Sequence, residues 1–259
     1  MTDLDPYTPN PGSETIFTIP GSSVKFGPGA LREVGEDASA MGLRRVALFT
    51  DQNVSKTPSY ETLLNSLKRG GVDAVVYDQT RVEPTDQSVI EAAAFVAQDN
   101  ISGFVSLGGG SVIDTAKAAN LLSTYPDELM SYVNAPIGQA KLVPGQLKPH
   151  IACPTTSGTG SETTGVVVFD LVESRLKTGI SSKFLRPVLA IVDPDTTDSL
   201  PVGVTAATGF DVLTHALESY TARPYTCREY SGSGARPPYQ GANPFSDMGA
   251  LAAIKLGGN

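Results

Sequence analysis

Asp211 and His215 stand four residues apart in the stretch TGFDVLTHALESY, residues 208–220. Residues i and i+4 share one face of an α-helix, so a carboxylate oxygen and an imidazole nitrogen placed this way can hold the same divalent ion. A hydrogen bond along the helix produces the same spacing, so both uses stay open. Two ligands make an incomplete coordination sphere. The other histidine, His150, follows Pro149 and begins an apolar run, and it reads as a packed core or rim group rather than a third ligand.

Two further stretches are built to meet a phosphate-bearing ligand. Ile101 to Leu107 is a strand-like run that leads into Gly108, Gly109, Gly110 and Ser111, and then into a helical segment with Asp114 and Lys117. Without Cβ atoms the turn lets backbone N–H groups approach a phosphate, and the helix N-terminus adds partial positive charge. A glycine turn required only by backbone conformation is the alternative. The second stretch, PTTSGTGSE at 154–162, leaves the run His150 to Pro154 and offers the hydroxyls of Thr155, Thr156 and Thr159 at a strand end, where ligands of parallel sheets sit. Small hydroxyl residues also build plain turns. Asp51, just after the first clear strand, can accept from a ribose 2′-hydroxyl, which favours NAD over NADP, or it can cap a turn.

The elements needed to position these residues alternate along the chain. Strand-like 45–50 precedes a helical pattern through 61–67 that ends at Gly70 and Gly71; 74–77 precedes a helix over about 85–99, with Asp86 contributing to its cap; 101–107 precedes a helix over 111–122. This alternation predicts an α/β domain with a parallel sheet and packed helices. After Pro149 come strands at 150–154, 166–169 and 189–194, and from about 201 the pattern is helical, through 204–220 and again over 247–256. The expected organisation is an α/β domain over residues 1–200 and the beginning of a helical domain over 201–259. One or two helices cannot enclose a second core, so the helical part is expected to be incomplete.

Lys and Arg number 19 against 27 Asp and Glu, a net charge of −8, which repels a polyphosphate surface and argues against nucleic acid as a partner. The longest apolar runs, such as Val188 to Val192, are too short to cross a bilayer, and the opening residues MTDLDPYTPNPGSE fit neither a signal nor a transit peptide. The two cysteines, Cys153 and Cys227, show no pairing by spacing, and a reducing cytoplasm is the expected location.

Taken together and in this order, the motifs resemble those of the iron-containing (group III) alcohol dehydrogenase family, over about residues 15–256. GGGSxxDxxK at 108–117 and PTTSGTGSE at 154–162 are similar to its nucleotide-binding motifs, and GFDxxxHAxE at 209–218 to its first metal-binding helix. The stretches RVEPTD, KAANL, YVNAPIG, SGTGSETTGV and HALESYT are similar to its hydroxyacid-oxoacid transhydrogenase branch; Glu83-Pro84 stands where most relatives carry Asn-Pro. The resemblance implies a dehydroquinate synthase-like architecture, a dinucleotide-binding domain followed by a helical metal-binding domain. It implies NAD held by Asp51, Gly108 to Ser111, Asp114, Thr155, Thr156, Thr159 and Lys177, and a divalent metal, Fe(II) or else Zn(II), held by Asp211 and His215. It implies a small-molecule hydroxyacid or alcohol as hydride donor, 4-hydroxybutyrate-like, with a 2-oxoglutarate-like acceptor, and a homo-oligomer at full length. Two further histidine ligands in the family pattern have no counterpart after His215, and are expected in a C-terminal segment on the order of 150 to 200 residues long.

Overall fold

The computed structural model describes residues 6–232, 236–237 and 239–257. The chain divides into two compact units, one of Gly21–Pro201 and one of Met1–Pro20 with Val202–Asn259.

In the first unit the elements run β1 (Ser23–Phe26), α1 (Val34–Ala40), β2 (Arg45–Phe49), α2 (Pro58–Arg69), β3 (Asp73–Tyr77), α3 (Asp86–Ala97), β4 (Gly103–Gly108), α4 (Gly110–Thr124), α5 (Leu129–Tyr132), β5 (His150–Pro154), β6 (Val166–Leu171), β7 (Leu176–Ser181) and β8 (Leu189–Val192). Six strands form one parallel sheet in the order β1-β8-β5-β4-β2-β3, and β6 and β7 form a separate antiparallel hairpin. From β2 the chain steps outward to β3, then returns past β2 to β4 and continues the other way through β5 and β8. The connections leaving the carboxyl ends of β2 and β4 therefore diverge, and such a reversal opens the crevice in which ligands of open α/β sheets bind.

Strand alternation feeds two cores. Val46, Leu48, Val105, Leu107, Ile151 and Cys153 pack on one face with Val34 and Ala38 of α1 and Leu63 and Leu67 of α2. Ala47, Phe49 and Phe104 point to the other face, against Ala92 and Val96 of α3 and Val112, Ala116 and Ala119 of α4. Phe49 and Phe104 are fully buried, and each such side chain contributes about 1.5–3 kcal/mol relative to an exposed one. A third cluster joins the hairpin to α4 and α5 through Val167, Phe169, Ile180, Leu121 and Tyr132.

The α3 cap is shared between Thr85 and Asp86. Thr85, extended at φ −108° and ψ 161°, is the N-cap: its hydroxyl accepts from Ser88 N at 3.2 Å and Ser88 Oγ accepts from Thr85 N at 2.8 Å. Asp86 is the first helical residue, and its Oδ1 accepts from Gln87 N at 2.9 Å, so it contributes to the cap beside Thr85.

His150 is a core residue, 3% exposed, with Nε2 2.8 Å from Ser106 Oγ and its ring edge-on to Phe104. Burial, aided by the nearby Lys117 charge, pushes its pKa down from 6.5 to about 3. Above pH 6.5 the ring is neutral folded or unfolded and has no effect on the pH dependence. As pH falls below 6.5 the unfolded chain takes up a proton that the folded chain refuses until about pH 3, so stability falls by roughly 1.4 kcal/mol per pH unit. Replacement by asparagine, His150→Asn, removes this component. Between pH 7 and pH 5 its urea-unfolding free energy should drop by about 2 kcal/mol less than that of the unmodified protein.

The second unit carries α6 (Val202–Thr221) and α7 (Pro244–Gly257), with the N-terminal residues packed among the loops that join them. Arg236 grips Glu14 through Nε at 2.9 Å and Nη2 at 3.0 Å, and the Thr18 amide donates to Gln240 Oε1 at 2.9 Å. These bonds explain why residues before Pro20 group here and not with the sheet. Among the described residues, no helix is long and apolar enough to cross a membrane, and both cysteines are free thiols.

Candidate functional site

The carboxyl end of β4 delivers Gly108 directly into the first turn of α4. Gly109 is the N-cap and brings no side chain to the helix terminus, so the N–H groups of Gly110 and Ser111 have no acceptor within the helix. The neighbouring strand β5 ends in the threonine loop, which is fixed to the turn by a hydrogen bond from Thr155 N to the Gly108 carbonyl at 3.0 Å. The approach is close because the glycines permit it: a Cβ on Gly110 would lie 2.9 Å from Thr159 Cγ2, and one on Gly109 3.4 Å from Thr156 Cγ2. Thr155 is buried, Thr156 half-buried and Thr159 exposed. Beyond them the loop turns at Gly160, in the left-handed region at φ 65°, where a side chain would be strained.

A third segment closes on the same turn. Ser111 Oγ accepts from the Glu83 amide at 3.2 Å, and Glu83 Oε2 lies 3.9 Å from Lys177 Nζ, which also pairs with Asp170 at 3.4 Å. The Asp170 amide donates to the Pro84 carbonyl at 2.8 Å. Thus the β6–β7 hairpin carries Lys177 to the edge where Ser111 sits. Glu83 holds φ 57°, a left-handed backbone that asparagine adopts more readily than glutamate.

Asp51 follows β2, on the other side of the strand reversal. Its Oδ1 accepts from Asn53 N at 2.8 Å and Val54 N at 3.0 Å, so the turn-capping use is realised and one oxygen remains for other contacts. The buried hydroxyls of Thr50, at the end of β2, and Thr80, beyond β3, lack partners among the described residues. Asp114 lies deeper. It is 7% exposed, Oδ1 takes the Lys117 ammonium at 3.1 Å and Oδ2 takes Val168 N at 3.0 Å. Burial raises its pKa against the opposing pull of Lys117. Both its oxygens are engaged inside the protein, so it supports the turn from beneath and does not face the crevice. A separate cleft of about 320 Å³ is lined by Gly29, Arg32, Pro58, Thr62, Asp193 and Thr196. It contains none of the glycine-turn or threonine-loop residues, and its acidic wall suits a phosphate less well.

In the second unit, Asp211 and His215 share one face of α6, with Oδ1 and Nε2 3.6 Å apart and both side chains well exposed. Donors to a common ion bind at roughly 2.0–2.2 Å, so this separation allows both to reach one cation, as the spacing predicts. Among the described residues, no third His, Cys, Asp or Glu joins them. The pair fits a divalent ion as a partial ligand set.

A parallel sheet whose strand reversal is flanked by a backbone-lined glycine turn places the molecule in the α/β nucleotide-binding class, with dehydroquinate synthase-like architecture. The sequence profile for iron-containing alcohol dehydrogenase matches residues 21–194, and the chain belongs to that family. It is 49% identical over 247 residues to "hydroxyacid-oxoacid transhydrogenase, mitochondrial" of Bos taurus, a match covering 94% of this chain and 53% of that protein. A "probable hydroxyacid-oxoacid transhydrogenase, mitochondrial" of Dictyostelium discoideum is 42% identical, over 98% of this chain and 50% of its own length. The chain thus spans about half the length of these relatives. Among solved structures it is similar to 1,3-propanediol oxidoreductase, with TM-score 0.81, 29% identity, and coverage of 93% of this chain and 58% of that one. It is also similar to sulfoacetaldehyde reductase from Bifidobacterium kashiwanohense in complex with NAD+, with TM-score 0.79, 30% identity and the same coverages.

Two contributors escaped the sequence reading. Glu83 links Ser111 to Lys177, and its signal was present in the departure from Asn-Pro. Lys117 was visible as a motif residue without a task; its burial within a helix face supplies one.

Proposed function

We propose that the chain is the nucleotide-binding portion, with the start of the metal-binding portion, of an oxidoreductase that moves hydride from a 4-hydroxybutyrate-like hydroxyacid, through NAD, to a 2-oxoglutarate-like oxoacid. The observation that carries this reading is the pinning of the threonine loop to the glycine turn at the strand reversal, in a member of this family. Residues 21–201 act as the dinucleotide-binding domain and α6 as the first metal-binding helix. The N–H groups of Gly110 and Ser111 receive the pyrophosphate, with Gly108 and Gly109 keeping the approach open. Thr155, Thr156 and Thr159 hydrogen-bond the phosphate or the nicotinamide ribose, and Lys177 adds positive charge at the rim. Asp51 accepts from the adenosine ribose 2′-hydroxyl and repels a 2′-phosphate, which selects NAD over NADP. Asp114 supports the turn from below. Asp211 and His215 hold a divalent cation, Fe(II) first and Zn(II) second. When bound, that ion supplies Lewis-acid polarisation of the substrate oxygen and NAD supplies the hydride-accepting ring. Homo-oligomerisation at full length goes with the reading, and so does a reducing compartment: the cytosol by composition, or mitochondria if the relatives' names carry over.

A second reading, an NAD-dependent alcohol dehydrogenase of the same family, shares every residue above. A third is a nucleotide-binding module without catalysis, and it is favoured by one observation, the exposed two-donor metal pair.

Titration calorimetry with NAD, NADP and Fe(II) or Zn(II) separates these. Saturable NAD binding, NADP weaker by about tenfold or more, and weak metal uptake lost in His215→Ala are the expected results. Nucleotide binding indifferent to metal, with no metal uptake, leaves the bare module; no NAD binding ends the proposal.

A further inference from the structure

Helix α4 and the stretch that runs from the threonine loop into β6 meet at one buried ammonium. Lys117 is 1% exposed, and its Nζ donates to Asp114 Oδ1 at 3.1 Å, Thr164 Oγ1 at 3.2 Å and the Val166 carbonyl at 2.8 Å. Asp114, one turn earlier on α4, passes the connection to Val168 N at 3.0 Å. Ser111, Asp114 and Lys117 recur every third residue, so they stack along one face of the helix. The pair thus ties together elements that lead to the site: α4 begins at the glycine turn, Thr164 follows the threonine loop, and Val166 and Val168 belong to β6 of the Lys177 hairpin.

Energy alone does not explain a charge pair in this place. Burial pushes the Asp114 carboxyl up and the Lys117 ammonium down, so both charges are held at a desolvation cost. An apolar pair of similar volume would fill the space without that cost. What an apolar pair cannot do is hold α4 and the 164–168 stretch together directionally. A hydrogen-bonded ammonium with all its donors engaged sets their separation and rotation.

We propose that the Lys117–Asp114 pair is a positioning device, which fixes the spacing of the glycine turn, the threonine loop and the β6–β7 hairpin so that their groups face one dinucleotide. The proposal deepens the nucleotide reading and rests on it. Neither residue touches the ligand; both act through the segments they hold.

The test compares the unmodified chain with Lys117→Met/Asp114→Asn, a neutral pair that retains an acceptor for Val168 N, and with the milder Asp114→Asn alone, which guards against a double variant that does not fold. Amide hydrogen exchange is followed without ligand, at a temperature where circular dichroism shows each protein folded, and NAD affinity is measured by calorimetry. The expected result is exchange at least tenfold faster in both 108–112 and 155–164, at unchanged rates in β2 and β5, with NAD affinity weakened about tenfold or more in the double variant and less in the single one. Uniformly faster exchange, including the core strands, assigns the pair to general stability and overturns the proposal, as do wild-type rates in both loops or an NAD affinity within twofold of wild type. An unmodified chain that binds no NAD refutes the nucleotide reading instead, and the exchange pattern then decides on the pair separately.

Discussion

Gly108→Ala is expected to weaken NAD binding about 100-fold while leaving a folded protein. A Cβ at this position would lie 2.4 Å from Val112 Cγ2 and 2.6 Å from Val112 Cβ. Rotating the valine about χ1 cannot relieve the contact with its Cβ, which is fixed to the first turn of α4. That turn must swing away from the end of β4, and the Gly110 and Ser111 amides move with it. Loss of one or two charge-assisted hydrogen bonds, each contributing about 1.5–3 kcal/mol, corresponds to roughly 100-fold in affinity. The accompanying loss of stability is that of a local overpacking, about 1–3 kcal/mol. Calorimetry checks the first figure and urea unfolding the second. An unchanged dissociation constant would mean that the turn does not carry the nucleotide.

Gly35→Ala should have the largest effect on stability, on the opposite face of the sheet. There α1 and α2 touch through their backbones: a Cβ on Gly35 would sit 1.9 Å from the Ser66 carbonyl oxygen and 2.4 Å from its carbon, and one on Gly70 2.2 Å from the Gly35 oxygen. The obstructing atoms are backbone, so no side-chain rotation makes room and the two helices must separate. Leu31, Val34, Leu63 and Leu67, all buried at this contact, then lose packing together, and the Gly35 amide loses its 2.9 Å bond to Ser66 Oγ. A cost of about 3–5 kcal/mol follows, a large share of the 5–15 kcal/mol typical of a domain. The urea midpoint should fall steeply. Because the glycine turn leads into α4 on the other face, NAD affinity of the protein still folded should stay within about twofold of wild type. Near-normal stability would show that the two helices are not in backbone contact.

What the sequence revealed, and what it concealed, follows from which forces act locally. Strands β2, β4 and β5 sit in the middle of the sheet, and burial on both faces made them continuous apolar runs such as VALF and HIACP. Edge strand β1, SVKF, exposes Val24 and Phe26 and presents no such run. Strand β7, LKTGIS, is held by pairing with β6 more than by its own composition. The glycine turn was legible because the lack of side chains is itself the feature. The direction in which Asp114 points was not, because the i, i+3 partner Lys117 and the distant Val168 amide decide it together. Lys177 came to notice only by family likeness; its approach to Ser111 depends on Glu83 and a hairpin register that no local pattern encodes. Asp211 and His215 were plain from helical spacing alone, and the structure gives them that spacing.

Amide chemical shifts followed during an NAD titration test the central claim most directly. The account predicts saturable shifts concentrated at Gly109, Gly110, Ser111 and the amides of 155–159, with a smaller set at Asp51 and Lys177, and no specific response at the cleft lined by Arg32 and Asp193. Shifts centred on that cleft, or a glycine turn that stays silent while NAD binds elsewhere, would contradict it.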